Sequence, residues 1–267
     1  MWKRRKIYRT YFTNYIENKI LNIFKGVTFT SIAKIYLELL TSKPADDGSG
    51  ASPVSYTGYG RKQITFSTPA DMSGNIGFQN AEEVSFAQAD ADSGTVTWIA
   101  LYDSESGGNM LLYAPLDTRK VIRAGTAPVL RVGEVKFWIT GGFSKSFKTA
   151  ILNVFRGTSL AGFTPYLTLF NGSPEDGGSE LIGGNFARQP ITFSTPAQAS
   201  TGQGQISNTA EVSFPIATVN LGTYNFDVIY DAASAGNLIL FNQGTSDSYS
   251  VGDMSKYPIG SIVISAN

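Results

Sequence analysis

The sequence predicts a mainly β protein made of two tandem β-sandwich domains, jelly-roll-like, each preceded by one amphipathic α-helix. The first observation is an internal repeat, since Ile-Thr-Phe-Ser-Thr-Pro-Ala occupies both 64–70 and 191–197. The second is a series of short apolar runs separated by Gly, Ser, Thr and Asn, a pattern typical of strands joined by turns. The third is a stretch of helical periodicity at the start of each repeat.

The repeat extends over nearly the whole chain. Matches continue outside the heptad, for example Glu-Val-Ser-Phe at both 83–86 and 211–214. Each copy has the usual size of an independent domain and is too long for a solenoid unit. We therefore expect a basic N-terminal arm at 1–11, a first β-sandwich repeat at 12–140 and a second at 141–267.

Each repeat opens with a predicted helix. Apolar residues recur at spacings of three and four in 12–24, and 143–155 has the same pattern. Thr13 and Ser144 are suitable N-caps, and Gly26 and Gly157 stand where a helix ends in the left-handed conformation. We expect each helix to cover one face or the open end of a sheet.

After each helix the pattern changes to short β-prone segments. The predicted strands are 35–40, 84–86, 95–102, 110–113 and 135–139 in the first repeat, and 166–170, 212–214, 223–230, 238–241 and 262–264 in the second. Residues 103–109 and 231–237 are predicted hairpin connections. Arg61 and Arg188 precede the heptad at equivalent positions, so we interpret them as fold elements that pair with a turn acid or a carbonyl.

Composition restricts the chemistry that the chain can perform. It contains neither cysteine nor histidine, which excludes disulfides, thiolate and imidazole metal ligands, and Ser–His or Cys–His nucleophile pairs. No phosphate-binding glycine loop, nucleotide fingerprint or zinc spacing is present. We predict a non-enzymatic protein with no catalytic residue, no metal and no cofactor.

Carboxylate pairs are the remaining candidates for acid–base chemistry. They are Asp90 with Asp92, Glu82 with Glu83, and Asp103 with Glu105. Glu83 and Asp103 recur as Glu211 and Asp231, which favours a role in the fold. Residues 90–94 have the opening of a calcium loop, but this segment lacks the distal Glu and has no counterpart in the second repeat.

Charge is distributed unevenly although the formal net charge is zero. Five cations precede the first acid, Glu17, so the rest of the chain has five more acidic than basic residues. We predict that this arm binds a partner through cations interleaved with aromatic rings. The predicted binding residues are Trp2, Lys3, Arg4, Arg5, Lys6, Tyr8 and Arg9.

Several kinds of partner suit a basic arm: an acidic protein groove, a membrane surface or nucleic acid, with a solvated tail as the structural alternative. The body of the chain is acidic and its basic residues are scattered, which argues against nucleic acid. No run approaches the roughly 20 apolar residues of a membrane span. We therefore predict protein partners, with neither nucleic acid nor membrane.

Motifs of the second repeat resemble a known family. They are Ile-Leu-Asn-Val-Phe-Arg-Gly at 151–157, Tyr-Leu-Thr-Leu-Phe at 166–170, Ser-Pro-Glu-Asp-Gly-Gly-Ser-Glu at 173–180, Asn-Thr-Ala-Glu-Val-Ser-Phe-Pro at 208–215 and Ile-Tyr-Asp-Ala-Ala-Ser-Ala-Gly-Asn-Leu at 229–238. Together they are similar to the small tail fibre domain of many tailed bacteriophages. The first repeat departs from the pattern at 51–55 and at Ala87, where the second has Pro215.

The resemblance implies a structural protein of the virion, of fibre or decoration type, and implies no catalytic residue. Its expected partners are other virion proteins in the capsid, neck or tail, reached through the basic arm. Tandem duplication gives one chain two similar faces, which suits a homo-oligomer or a lattice.

A second functional hypothesis is a receptor-binding module that recognises a host surface glycan. The loops at 103–109 and 231–237 are the candidate binding loops, and Tyr56, Tyr59 and Trp98 are candidate sugar-binding aromatics. The structural alternative is that these aromatic side chains belong to the sandwich core.

Overall fold

The computed structural model describes residues 11–200 and 202–266. Residues 1–10, which include every predicted binding residue of the arm, lie outside the described residues. The described chain is mainly β, with antiparallel sheets in two tandem copies, each preceded by a helix. The predicted fold class is therefore confirmed.

The first copy consists of one helix and ten strands. These are β1 (Tyr11–Phe12), α1 (Asn14–Ile23), β2 (Tyr36–Leu40), β3 (Lys62–Gln63), β4 (Ala70–Met72), β5 (Asn75–Gln79), β6 (Val84–Ser85), β7 (Gly94–Tyr102), β8 (Met110–Ile122), β9 (Val129–Leu130) and β10 (Lys136–Ile139). Their sheets have the orders β1-β8-β7-β2-β3, β10-β5-β4 and β6-β9.

The second copy repeats this arrangement. Its elements are α2 (Lys145–Val154), β11 (Tyr166–Asn171), β12 (Ser179–Glu180), β13 (Gln189–Pro190), β14 (Ala197–Gln198), β15 (Gly204–Ser207), β16 (Val212–Ser213), β17 (Gly222–Tyr230), β18 (Leu238–Tyr249), β19 (Lys256–Tyr257) and β20 (Val263–Ala266). The sheets are β12-β11-β17-β18 with β13 also on β11, β14-β15-β20, and β16-β19.

The main strand that the sequence pattern does not predict is β5, with its equivalent β15. Gly77 lies in the middle of β5, and glycine weakens a strand because it has no side chain to pack. In the structure a Cβ at this position would lie 2.6 Å from the Phe137 carbonyl oxygen and 2.7 Å from the Trp138 Cβ. Glycine is needed here because the paired strand β10 approaches its backbone closely.

Both helices begin and end near the predicted residues. Ser144 caps α2, since its hydroxyl accepts a hydrogen bond from the Phe147 amide. Thr13 occupies the same position before α1, but its hydroxyl donates to the Met110 carbonyl instead. Gly26 and Gly157 have φ of 79° and 93°, as predicted for the helix ends.

Each helix also packs against the other copy. α1 contacts β15 and β20 of the second copy as well as β8 of its own, and α2 contacts β5 of the first copy as well as β18. Phe24, at the end of α1, lies among four rings of the second copy, at centroid distances of 5.3 to 6.3 Å: Phe143, Phe147, Phe163 and Phe193. The two copies therefore share one continuous hydrophobic core.

A pseudo-two-fold axis relates the copies where they meet. Phe29 and Leu160 are equivalent when Gly26 is aligned with Gly157, and each donates its amide to the other's carbonyl, at 2.8 and 2.9 Å. The next pair of hydrogen bonds is also reciprocal: Ile32 donates to Val154, and Phe163 donates to Ile23. The tandem chain thus has the geometry of a symmetric dimer joined into one polypeptide.

Candidate functional site

The root of the arm is fixed to the first copy. Tyr11 belongs to β1, which pairs with β8, and its ring stacks on Tyr113 at a centroid distance of 4.9 Å. Lys43 lies 4.5 Å from the centre of the Tyr11 ring, a cation–π distance. The chain therefore leaves the edge of the five-stranded sheet at a rigid aromatic cluster.

Two acids lie beside this cluster, at the contact with the second copy. The Glu17 carboxylate is 1% exposed and accepts a hydrogen bond of 2.8 Å from the Gly204 amide. Burial raises the pKa of Glu17 to about 7, and the nearby Asp46 carboxylate also raises it, whereas the Gly204 amide lowers it. Asp46 in turn accepts a hydrogen bond from the Tyr113 hydroxyl.

The two equivalent arginines hold the predicted hairpin loops. Arg61 donates to the carbonyls of Ser104 and Gly107, at 3.1 and 2.6 Å, and Arg188 makes the same contacts with the 231–237 loop. Each guanidinium also lies over a tyrosine ring, 3.2 Å from the Tyr102 centroid in the first copy. The interpretation of these arginines as fold elements that bind carbonyls is confirmed.

The acid that pairs with each arginine comes from a different strand in each copy. Arg61 pairs with Glu38 of β2 at 3.2 Å, whereas Arg188 pairs with Glu180 of β12 at 2.7 Å. Thr168 stands at the position equivalent to Glu38, and its hydroxyl donates to Glu180 at 2.7 Å. The carboxylate is therefore retained beside the arginine although its position in the sequence changes, and it belongs to a strand and not to a turn.

Each candidate binding loop is closed by the aspartate side chain at its first residue. Asp103 accepts hydrogen bonds from the backbone amide and the side-chain amide of Asn109, at 2.7 and 2.8 Å. Asp231 and Asn237 form the same two bonds at 2.6 and 2.7 Å. These acids hold the loop closed, as expected for recurrent fold features.

A surface groove lies beside the loop of the first copy. It is formed by one face of α1, the segment before β2 and the start of the loop. Its cavity volume is about 530 Å³. The tyrosines and charged residues that line it are Tyr15, Lys19, Lys34, Tyr36, Asp103 and Glu105.

The aromatic residues named as sugar-binding candidates pack within the fold. Tyr59 stacks on Phe86 at a ring-centroid distance of 5.7 Å, and its hydroxyl accepts a hydrogen bond of 2.8 Å from the Leu39 amide. Tyr56 donates to the Ala87 carbonyl. Trp98 packs beside Tyr11 in the cluster at the root of the arm. These three side chains are partly buried and pack against the core, as the structural alternative to sugar binding predicts.

The acids of the possible calcium loop are hydrogen-bonded to neighbouring turns. Asp90 accepts a hydrogen bond of 3.0 Å from the Thr57 amide, and Asp92 accepts one of 2.9 Å from the Ala124 amide. The hydrogen bond from Thr57 lowers the pKa of Asp90. Within the described part of the chain, no group of three or more acids could hold a metal ion.

Exposed apolar side chains gather at one end of the second copy. The loops there are joined by hydrogen bonds, such as that from the Gly252 amide to the Ala217 carbonyl. They carry Ile182, Ile216, Val219, Val251 and Met254 at exposures of 40 to 79%. The equivalent residues of the first copy are Ser55, Gln88, Ala91, Ala124 and Ala127. We call these five apolar residues the apolar tip.

Comparison with known proteins identifies one family. A family model described as the podophage GP4 fiber I protein gp80 matches residues 11–137 and, a second time, residues 142–265. The two matches coincide with the two copies of the fold. No curated protein matches the chain. Neither helix in the described residues is long and apolar enough to cross a membrane.

Proposed function

Because the chain belongs to the family of the podophage GP4 fiber I protein gp80, a phage fibre protein and hence a virion component, we propose that it is a non-enzymatic structural protein attached to the particle through its basic arm. The observation that carries the proposal is the separation of charge, with five cations ahead of a net acidic body. Such an arm favours an acidic groove on a capsid, neck or tail protein.

The root of the arm supports the same proposal. Tyr11 is held by β-pairing and by stacking on Tyr113, so a partner bound by the arm is linked to a rigid part of the fold. A firmly rooted arm reduces the conformational freedom that binding must restrict.

The test is to delete residues 2–9, which leaves Tyr11 in place, and to measure incorporation into particles. We expect the deletion to abolish incorporation while thermal unfolding of the purified protein stays unchanged. A second variant replaces Lys3, Arg4, Arg5, Lys6 and Arg9 by glutamine and should lose most of the incorporation. Particles that contain the deleted chain at the wild-type level would refute attachment through the arm.

The apolar tip supports self-association, which we include in the proposal. Exposed apolar patches are typical of protein interfaces, and the first copy shows that this fold does not require large apolar residues at these positions, because it has Ser, Gln and three Ala there. We expect the wild-type chain to oligomerise in light scattering after gel filtration. A variant with the first-copy residues, Ile182→Ser and Ile216→Gln, should be monomeric; a wild-type monomer at all concentrations would argue against this part of the proposal.

A second candidate function is receptor binding. The observation that favours it is the pair of rigid loops at 103–109 and 231–237, each held by an arginine and by an Asp–Asn bridge. Rigid loops on a stable sandwich are well suited to recognition. Adsorption of particles to host cells in the presence of excess purified protein tests it, since a receptor-binding chain would compete with the particle.

A further inference from the structure

We propose that the groove beside the 103–109 loop of the first copy binds a neutral saccharide unit. This inference rests on the receptor-binding function and names its site and ligand class. The groove volume of about 530 Å³ lies within the range of small-ligand sites. Its lining combines two tyrosines, two lysines and two acids, as described above.

The charges in the groove balance. Lys19 and Lys34 supply two positive charges, and Asp103 and Glu105 supply two negative charges. A polyanion such as nucleic acid would be repelled by the acids, and a polycation by the lysines. A neutral ligand rich in hydroxyl groups meets both donors and acceptors, because a hydroxyl group can accept from an ammonium and donate to a carboxylate.

Most of these charged groups are available to a ligand. Lys19, Lys34 and Glu105 take part in none of the four ion pairs among the described residues. All three are exposed. Polar groups already in contact with solvent can exchange water for ligand hydroxyls at little cost.

The tyrosines provide the apolar part of the site. Tyr15 and Tyr36 are half-buried, and the Lys19 ammonium lies 5.4 Å from the centre of the Tyr15 ring. Burial and the Asp103 carboxylate both raise the pKa of Tyr15, so its hydroxyl remains protonated and can donate. A ring with an apolar face and a polar edge suits a sugar, whose C–H face is apolar and whose rim carries hydroxyls.

One wall of the groove is already ordered. Arg61 binds the Ser104 carbonyl, and Asp103 bridges to Asn109 across the loop. Binding would therefore restrict few additional backbone torsions of this loop.

Comparison of the two copies separates the residues of the groove from the residues of the fold. Two features occur in both copies: the Asp–Asn bridge across the loop, and the arginine clamp, in which Arg61 or Arg188 binds loop carbonyls. The groove residues Tyr15, Lys19, Ser104 and Glu105 are replaced in the second copy by Ser146, Ala150, Ala232 and Ala233. Because the second copy forms the same fold without these side chains, their presence in the first copy points to recognition.

The test uses the full chain and an array of bacterial polysaccharides that includes neutral hexose polymers, uronic-acid polymers and phosphate-containing polymers. We expect binding to a neutral polymer, with an affinity that changes little in about 0.5 M sodium chloride because no net charge is neutralised. The neutral polymer that binds is then titrated by calorimetry.

The informative variant combines Tyr15→Ser, Lys19→Ala and Glu105→Ala in one chain. Each new residue is the one that stands at the equivalent position of the second copy, where the same fold accommodates it. We expect its affinity to fall about tenfold or more, the effect of losing a hydrogen bond to a charged group. A charge-matched control, Glu82→Ala with Lys145→Ala, removes one acid and one base outside the groove and should bind like the wild type.

Three results would overturn the inference: no array polymer binds the wild-type chain, only the anionic polymers bind, or the triple variant binds as the wild type does. Incorporation into particles is measured in parallel. Normal incorporation of a triple variant that has lost binding separates recognition from assembly. Failure of the arm-deletion test would leave the saccharide result unaffected.

Discussion

Arg188 illustrates how single residues stabilise this fold. Its guanidinium binds Glu180, two loop carbonyls and the face of Tyr230. The hydrogen bonds and charge of Glu180 raise the pKa of Arg188. Burial raises the pKa of Glu180, but the hydrogen bonds from Arg188 and Thr168 and the charge of Arg188 outweigh burial and lower this pKa below its ordinary value. The side chain of Arg188 is only 9% exposed, so most of these contacts are shielded from water.

We expect Arg188→Ala to lower the free energy of unfolding by about 2–4 kcal/mol, because it leaves a partly buried carboxylate without its cation and two loop carbonyls without their donor. Urea unfolding measures the effect. The control is Lys256→Ala, which breaks an ion pair with Glu211 in which both side chains are nearly half exposed and should cost about 0–1 kcal/mol. If both substitutions lowered the free energy of unfolding equally, the stabilising role of the Arg188 contacts would be contradicted.

Glu17 should make the contact between the copies sensitive to pH. Burial raises its pKa from 4.5 to about 7. Between these values the folded chain binds one more proton than the unfolded chain, so the stabilisation from this group is complete below pH 4.5 and is lost as pH rises through about 7.

The variant Glu17→Gln keeps this position neutral at every pH. We expect its free energy of unfolding to exceed that of the wild type by about 1–3 kcal/mol at pH 8 and to equal it at pH 4. Denaturant titrations between these two pH values measure the difference, with Glu83→Gln as an exposed control. A difference between Glu17→Gln and wild type that does not change with pH would disprove this assignment.

At the scale of elements, the segments that follow the helices hold the copies together by backbone contact. A Cβ on Gly162 would clash with the backbone of Gly26 and Val27. We expect Gly162→Ala to lower stability by about 1–3 kcal/mol, the cost of overpacking a well-packed contact.

Thermal unfolding of Gly162→Ala measures this cost. Gly60→Ala is the matched control, since a Cβ there meets no atom within 4 Å, and its effect should stay within about 0.5 kcal/mol. Equal unfolding temperatures for the two variants would show that the backbones do not meet at Gly162.

At the scale of the whole molecule, the two copies should fold as one unit. Phe24 is 1% exposed and is surrounded by rings of the second copy, while Phe155 lies 6.1 Å from Phe78 of the first. Separating the copies would expose both phenylalanines together with the apolar face of each helix. The interface therefore contributes part of the core that each copy needs.

We expect a chain of residues 11–140 to be aggregated or poorly folded alone and to form a stable complex when produced together with residues 141–267. Gel filtration and circular dichroism of each preparation test this. A first copy that is monomeric alone and unfolds at the same temperature as the full chain would contradict the prediction that the two copies fold as one unit.

Local patterns in the sequence were sufficient for the repeat, the helices and half of the strands in each copy, because these features follow from residue spacing. The arginine clamp was also predictable, since both arginines recur at one position. The groove was not, because its residues come from α1, from the segment before β2 and from the loop after β7. These segments are far apart in the chain and meet only after folding.

The sequence by itself determined the fold class, the duplication and the absence of histidine and cysteine chemistry, since all three can be read from local composition and spacing. Only the tertiary structure decided that the helices pack across the two copies, that Glu17 is buried, and that Tyr15, Lys19 and Glu105 share a groove. The physical reason is that an amphipathic pattern specifies which face of a helix is buried but not which surface buries it. That choice depends on the area and shape that both copies present together.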